Sequence, residues 1–263
     1  MKVIDFHTHA FPDDLAPRAM ASVGAKSDVP AALDGTVSAL LRSMDSAGVE
    51  RSVICSIATK PTQFRGILDW SRKVRSERLI MFPSIHPAAP DALSQIKAVH
   101  AEGFLGVKLH PYYQDFDLDE PRLEPIYDCL QEYGLMAFCH TGFDVAFPRV
   151  RRADPARIWK VATKFPGLKF IATHLGAWED WQEAERLLIG KNIRLEMSFS
   201  IPYLGAAETR RLLLAHPADY LLFGTDSPWA DQAEDIRRVQ ALNLPLEREQ
   251  KLFYDNARGL LGS

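Results

Sequence analysis

Of the eight histidines in this chain, six fall at or just past the end of a short apolar run: His7, His9, His86, His110, His140 and His174. Imidazole is the side chain best suited to hold a transition metal or to move a proton near neutral pH. His7 and His9 stand two residues apart in Asp-Phe-His-Thr-His, so an extended backbone sends both to the same side. Taken alone such a pair is weak evidence, because many arise by chance. Asp226 adds a carboxylate in Phe-Gly-Thr-Asp-Ser-Pro-Trp, directly after the apolar run 220–223. Two imidazoles and one carboxylate oxygen make the mixed shell of a catalytic zinc or a related divalent cation. The plainer reading is an aspartate shaping the turn ahead of Ser-Pro.

His140 in Phe-Cys-His-Thr-Gly and His174 in Ala-Thr-His-Leu-Gly sit at equivalent places, each followed by a glycine that lets the chain turn into a loop. Either could be a buried structural histidine; two of them facing the first pair and an aspartate favour ligands. In Gly-Val-Lys-Leu-His-Pro, Lys108 and His110 share a face by the same alternation. A buried ammonium is costly unless paired or altered. Three outcomes stay open: Lys108 pairs with an acid, it is carboxylated and bridges two metals, or His110 takes the inward place.

These residues need a scaffold that brings remote strand ends together. Apolar runs over 3–6, 52–58, 79–85, 106–109, 135–139, 169–173, 193–199 and 220–223 give eight candidate strands. Segments with helical spacing lie between them, such as Leu123, Ile126, Tyr127 and Leu130, or Trp181, Ala184, Leu187 and Leu188. Strand then helix, repeated eightfold in 263 residues, predicts an α/β protein with one (β/α)8 TIM barrel over 1–263. Its C-terminal mouth is where such barrels gather their chemistry. No Gly-rich phosphate turn follows the first run, which argues against an open dinucleotide-binding sheet. Residues 10–33, rich in Pro, Asp and Ala, read as a long irregular loop over the mouth, either a lid or a surface excursion.

Charge narrows the partners. Lysine plus arginine total 31 against 34 acidic residues, a net charge of -3, so neither nucleic acid nor a membrane surface is indicated and a small molecule is the default partner. Cys55, Cys129 and Cys139 form no Cys-x-x-Cys pair, and no apolar run reaches the roughly 18 residues of a membrane span. A cytoplasmic location with free thiols is the expectation. Arg149, Arg151 and Arg152 after the fifth run could hold a substrate carboxylate, although such runs are more often solvated loop. Trp178, Trp181 and Trp229 could wall a flat substrate, Trp181 being the one whose helical spacing points to the core.

The motifs His-Thr-His, Lys-Leu-His-Pro, His-Thr-Gly, His-Leu-Gly and Phe-Gly-Thr-Asp-Ser-Pro-Trp, in that order, resemble the amidohydrolase superfamily. Within it the resemblance is to the branch of the aminocarboxymuconate-semialdehyde and resorcylate decarboxylases; the ending Asn256-Ala257-Arg258 fits it as well. The resemblance implies that His7, His9, His140 and Asp226 bind a divalent metal, with His174 beside the bound water or on a second ion. It implies zinc first, with manganese, iron or nickel as alternatives, one ion rather than two, and a homodimer. Lys108 matches the position that is a carboxylated bridge in binuclear members but not in the mononuclear branch. The implied activity is hydrolysis of an amide, ester or lactone by a metal-activated water, with decarboxylation of a small carboxylic acid as the rival. The catalytic candidates are Asp226, His174 and Lys108, and the substrate-binding candidates are His110, Arg149 and Trp229.

Overall fold

The computed structural model describes residues 2–24 and 29–262. Eight parallel strands follow one another with helices between: β1 (Val3–Thr8), β2 (Val49–Cys55), β3 (Leu79–Phe82), β4 (Gly106–Leu109), β5 (Met136–Cys139), β6 (Lys169–Ala172), β7 (Arg194–Glu196) and β8 (Leu221–Leu222). They pair in sequence order as β1-β2-β3 and β4 through β8. The two sheets meet at seams made by single bridges. Ser84 pairs with Lys108, and Lys108 N donates to Pro83 O at 2.9 Å. On the other side Phe6 N donates to Phe223 O at 2.9 Å and Asp226 N to His7 O at 2.7 Å, bringing the end of β8 against β1. This is the expected TIM barrel.

Strands covered on both faces read as near-continuous apolar runs, which is why alternation is muted in this sequence. The inner layer holds Ile4, Phe6, Val53, Phe82, Met136, Phe138, Ile171 and Leu222, closed at the strand N-termini by Ala257 and Leu261 of the helix Asn256–Leu261. The outer layer packs the strands' other faces against the helices, with Ile126, Tyr127 and Leu130 of Glu124–Glu132 buried as their spacing predicts.

The strands are shorter than the apolar runs that foretell them: 193–199 shrinks to Arg194–Glu196, and 220–223 to Leu221–Leu222. The residues trimmed from the C-terminal ends, 197–199 and 223, lead toward the mouth. Residues 10–33 are not the irregular stretch their composition predicts. They carry the helix Ala16–Gly24, and Ala32 and Leu33 donate their backbone N–H groups to Pro228 O at 2.7 and 3.1 Å. The segment is thus tied to the loop after β8, and positions 25–28, part of the suggested lid, lie outside the described residues. None of the described helices is long and apolar enough to cross a membrane.

Candidate functional site

The ordering of the mouth starts with an irregularity in β1. Its register with β2 shifts between Asp5 and Thr8. An extra residue in a strand re-aims the side chains beyond it. Ile4 and Phe6 therefore join the apolar interior, yet His7 also faces inward, its ring 4.8 Å from that of Phe138 and 5.2 Å from that of His9. The carboxylate partner comes from the turn after β8, where Asp226 adopts a left-handed φ of 63° that aspartate tolerates better than most residues.

His7 Nδ1 lies 3.0 Å from Glu196 Oε2, and His9 Nδ1 lies 2.7 Å from the carbonyl oxygen of Cys55. Both Glu196 oxygens already accept from Ser198, so the carboxyl faces His7 Nδ1 as an acceptor and the His7 Nε2 lone pair turns inward. The Cys55 carbonyl can only accept, so His9 Nδ1 carries the hydrogen and its Nε2 turns a lone pair inward too. These two nitrogens stand 3.4 and 3.0 Å from Asp226 Oδ1, a buried oxygen that has no donor. His7 Nε2 has the Lys108 ammonium beside it, but His9 Nε2 and Asp226 Oδ1 face each other as acceptors, which is unfavourable unless something positive sits between them. Ligands around a tetrahedral ion with bonds near 2.1 Å are separated by about 3.4 Å, so the spacing fits a divalent cation.

Beside this trio stand the other strand-end groups. Lys108 is buried, with Nζ 3.0 Å from His7 Nε2 and 4.5 Å above the Phe138 ring. Of its three foreseen outcomes, the geometry is pairing with an imidazole nitrogen, one that none of the three named. His174, at a left-handed φ of 57°, places Nε2 3.2 Å from His140 Nδ1 and Nδ1 3.0 Å from Ser198 Oγ. His140 and His110 stack with ring centres 4.3 Å apart, and their Nε2 atoms lie 3.7 and 3.4 Å from Asp144 Oδ2. Among the described residues two sets could thus hold a metal ion: His7, His9 and Asp226, and His110, His140 and Asp144. The five ligands foreseen from sequence are close neighbours, but His140 groups with Asp144 instead of with the first pair.

Burial governs the protonation of these groups. It pushes the imidazoles of His7, His110, His140 and His174 down, those of His110 and His174 to about 3, so the rings are neutral at physiological pH. Burial would raise Asp226 and Asp144, but the surrounding histidines outweigh it; Asp226 falls well below the usual carboxylate range and Asp144 to about 2. Burial pushes Glu196 up to about 8, while the hydrogen bonds that both its oxygens accept from Ser198 act the other way and fit the carboxylate form.

Of the substrate-binding candidates, His110 faces the cluster, and Trp229 sets its ring 5.3 Å from that of His9. Arg149 is 59% exposed, pairs with Glu179 and stacks 4.0 Å over Phe143, at the rim of the mouth. His86 accepts from Ala88 N and stands apart from the cluster, while His100 stacks on Tyr133 and His216 hydrogen-bonds Ile193 O. Trp181 donates to His174 O and packs against the core; Trp178 meets Tyr203. Sequence reasoning missed Asp5, Asp144, Glu196 and Ser198. Glu196 had one signal, a lone acid inside the apolar run of β7; Asp144, four residues past His140 in a loop, had none.

The chain was compared with known proteins. No curated protein matches it. Among solved structures it is similar to an uncharacterised TIM-barrel protein from Bordetella bronchiseptica, with 21% identity, a TM-score of 0.78, and 99% and 98% of the two chains covered. A 2,6-dihydroxybenzoate decarboxylase in complex with 2,6-dihydroxybenzoate follows at 17%, 0.75, and 99% and 98%. A putative 2-pyrone-4,6-dicarboxylic acid hydrolase from Pseudomonas putida stands at 19%, 0.70, and 98% and 97%. At these identities the likeness is one of fold. The family model for amidohydrolases (Amidohydro_2) matches residues 4–263, and the chain belongs to that family.

Proposed function

We propose that this protein is a metal-dependent hydrolase that cleaves an amide, ester or lactone bond in a small molecule. One observation carries the reading: Nε2 of His7, Nε2 of His9 and the donorless Oδ1 of Asp226 converge at the separation a single cation requires. His140 Nδ1 and His174 Nε2 face each other 3.2 Å apart, with the His174 ring 5.7 Å from that of His7, and are placed to face the substrate beside that point. The donor set, imidazole nitrogen with one carboxylate oxygen, suits zinc first, and manganese, iron or nickel as well. Such a cation supplies Lewis acidity that brings the pKa of a water near 7.

The chain's own residues supply the remainder. Asp226, held in its ionised form by the histidines around it, is the group to accept a proton at its carboxylate and return it to the leaving atom. His174 Nε2 is placed to orient a substrate oxygen, since Nδ1 is held by Ser198. Lys108 Nζ adds positive charge beside His7 where negative charge would develop on substrate.

Decarboxylation is the second reading, favoured by the stack of Arg149 on Phe143 at the rim, which would suit a flat carboxylic acid. Metal analysis of protein purified without additives, followed by a panel of lactones, esters, amides and aromatic acids, tests both. About one equivalent of divalent metal with acid released from a lactone, ester or amide supports the proposal. Carbon dioxide release supports the second reading, and well under one equivalent together with no turnover refutes both.

A further inference from the structure

The carboxyl of Glu196 stands at a crossing of the site. Oε2 lies 3.0 Å from His7 Nδ1 and accepts the Ser198 hydroxyl at 2.9 Å, while Oε1 accepts the Ser198 backbone N–H. Ser198 Oγ in turn lies 3.0 Å from His174 Nδ1 and 3.2 Å from His7 Nδ1, and the Ser198 carbonyl oxygen lies 3.2 Å from His174 Nδ1. One carboxyl on β7 is therefore in contact with the β1 imidazole directly and with the imidazole after β6 through a single hydroxyl. Both rings are gripped at Nδ1, which leaves Nε2 of each as the atom facing the interior.

The neighbourhood is shaped to admit this carboxyl. Gly224, in the turn after β8, has no side chain, and a Cβ there would collide with Glu196 Oε1 and with His7 Cβ. Glu196 and Ser198 are both fully buried, with 0% and 1% exposure, so the contact is not a surface accident. Two residues three strands apart around the barrel are thus locked in register by an acid that no motif of the chain announces.

We infer that Glu196 is the positioning residue of the candidate metal centre: it fixes His7, and through Ser198 His174, in the tautomer that presents Nε2. This rests on the metal-binding reading proposed above. Partners of this kind hold a ligand ring in place and commonly alter metal affinity ten- to a hundredfold when removed. The Ser198 hydroxyl bridges the two rings, but the Ser198 carbonyl also holds His174 and Glu196 Oε2 also holds His7. Loss of the hydroxyl should therefore weaken the site less than loss of the Glu196 carboxyl.

The experiment compares full-length wild type with Glu196→Ala, Glu196→Gln and Ser198→Ala. Zinc affinity is measured by competition with a chromophoric chelator, and ring tautomers by long-range proton–nitrogen spectra of the zinc-free proteins. Glu196→Ala should keep the zinc stoichiometry, bind ten- to a hundredfold more weakly, and lose the defined Nδ1–H signature of His7. Glu196→Gln keeps an acceptor oxygen and should recover most of the affinity. Ser198→Ala leaves His7 on Glu196 Oε2 and His174 on the Ser198 carbonyl, so it should keep both Nδ1–H signatures and weaken binding less than Glu196→Ala. Wild-type affinity in Glu196→Ala, or Glu196→Gln as impaired as Glu196→Ala, overturns the inference while leaving the metal reading intact. A wild type that binds no zinc overturns both. If Glu196→Ala does not fold, Glu196→Gln decides it, since a His7 Nδ1–H signature lost there, or zinc bound more weakly than by Ser198→Ala, contradicts the assignment.

Discussion

At the floor of the barrel Phe6, Phe82 and Phe138 meet ring to ring, with centroids 5.8 to 6.3 Å apart, over a helix that contributes Ala257 and Leu261; at the mouth, lone pairs and carboxylate oxygens face one another instead. The floor is apolar, its rings in the tilted and edge-to-face contacts that aromatic pairs prefer. The mouth holds buried polar atoms without donors, and residues in left-handed backbone at His174, Leu175, Phe199 and Asp226. For residues other than glycine that conformation costs on the order of 1 kcal/mol each. One set of strands therefore stabilises the fold at one end and holds a destabilising arrangement at the other. The boundary runs through Phe138, which meets Phe82 below and His7 and Lys108 above.

The comparison breaks first if the floor does not carry stability. Phe82→Ala removes a fully buried ring from the phenylalanine layer and should cost about 3–5 kcal/mol in urea unfolding. Zinc affinity per folded molecule should stay within a factor of about two, because no cation-facing atom touches that ring. A variant that unfolds at the wild-type midpoint yet binds zinc weakly would reverse the division.

Next in size is the opposite test. Asp226→Asn keeps a side chain of the same shape that also accepts left-handed backbone, so the turn after β8 survives. It removes the proton acceptor and one cation-facing charge. Turnover of whichever substrate the panel identifies should fall at least about a hundredfold, about 2.7 kcal/mol in the barrier, while the melting temperature of the zinc-free protein stays level or rises. A large drop in melting temperature with retained turnover would show that this aspartate belongs to the fold.

What the sequence shows follows the same division. Strand-end motifs are local, so His7, His9, His140, His174 and Asp226 could be read from short windows, and the eightfold alternation then places them at one face. The barrel itself was equally legible, because a repeating strand and helix pattern admits few folds. Glu196 was not, since its role depends on His7 and Gly224 arriving from elsewhere, and a glutamate beside Leu195 and Met197 reads as an ordinary interruption of a strand. Asp5 was hidden in the same way: it accepts from Thr225 N, Thr225 Oγ1 and Gln232 Nε2, partners some 220 residues away. The shift in β1 that turns both Phe6 and His7 inward contradicts simple alternation, and only the pairing with β2 reveals it.

A smaller effect separates the two ends by pH. His216, at the strand N-terminal side, is buried with Nε2 on Ile193 O, and burial lowers it to about 4. A histidine depressed in the folded state binds fewer protons there than in the unfolded chain. Its contribution is therefore present above about pH 6.5 and is lost as pH falls toward 4, at most about 3 kcal/mol. His216→Gln should be about 1 kcal/mol less stable at pH 7.5, and should lose less than wild type between pH 6.5 and 4.5. A pH dependence identical to wild type would assign the whole acid sensitivity to the mouth.

The smallest expected change in stability comes from Arg149→Ala. Its ion pair with Glu179 is solvent-exposed, and exposed pairs contribute about 0–1 kcal/mol, so unfolding should shift by no more than about 0.5 kcal/mol. Its stack on Phe143 nevertheless points at the rim of the mouth, where a substrate carboxylate would enter. An acid substrate should then show KM raised about tenfold or more at unchanged kcat, since the guanidinium would bind ground and transition states alike. A neutral lactone or ester should show no change in either constant. If an acid substrate also turns over in Arg149→Ala with wild-type KM, the arginine is only a surface partner of Glu179, and the mouth ends at Phe143 instead of at the rim beyond it.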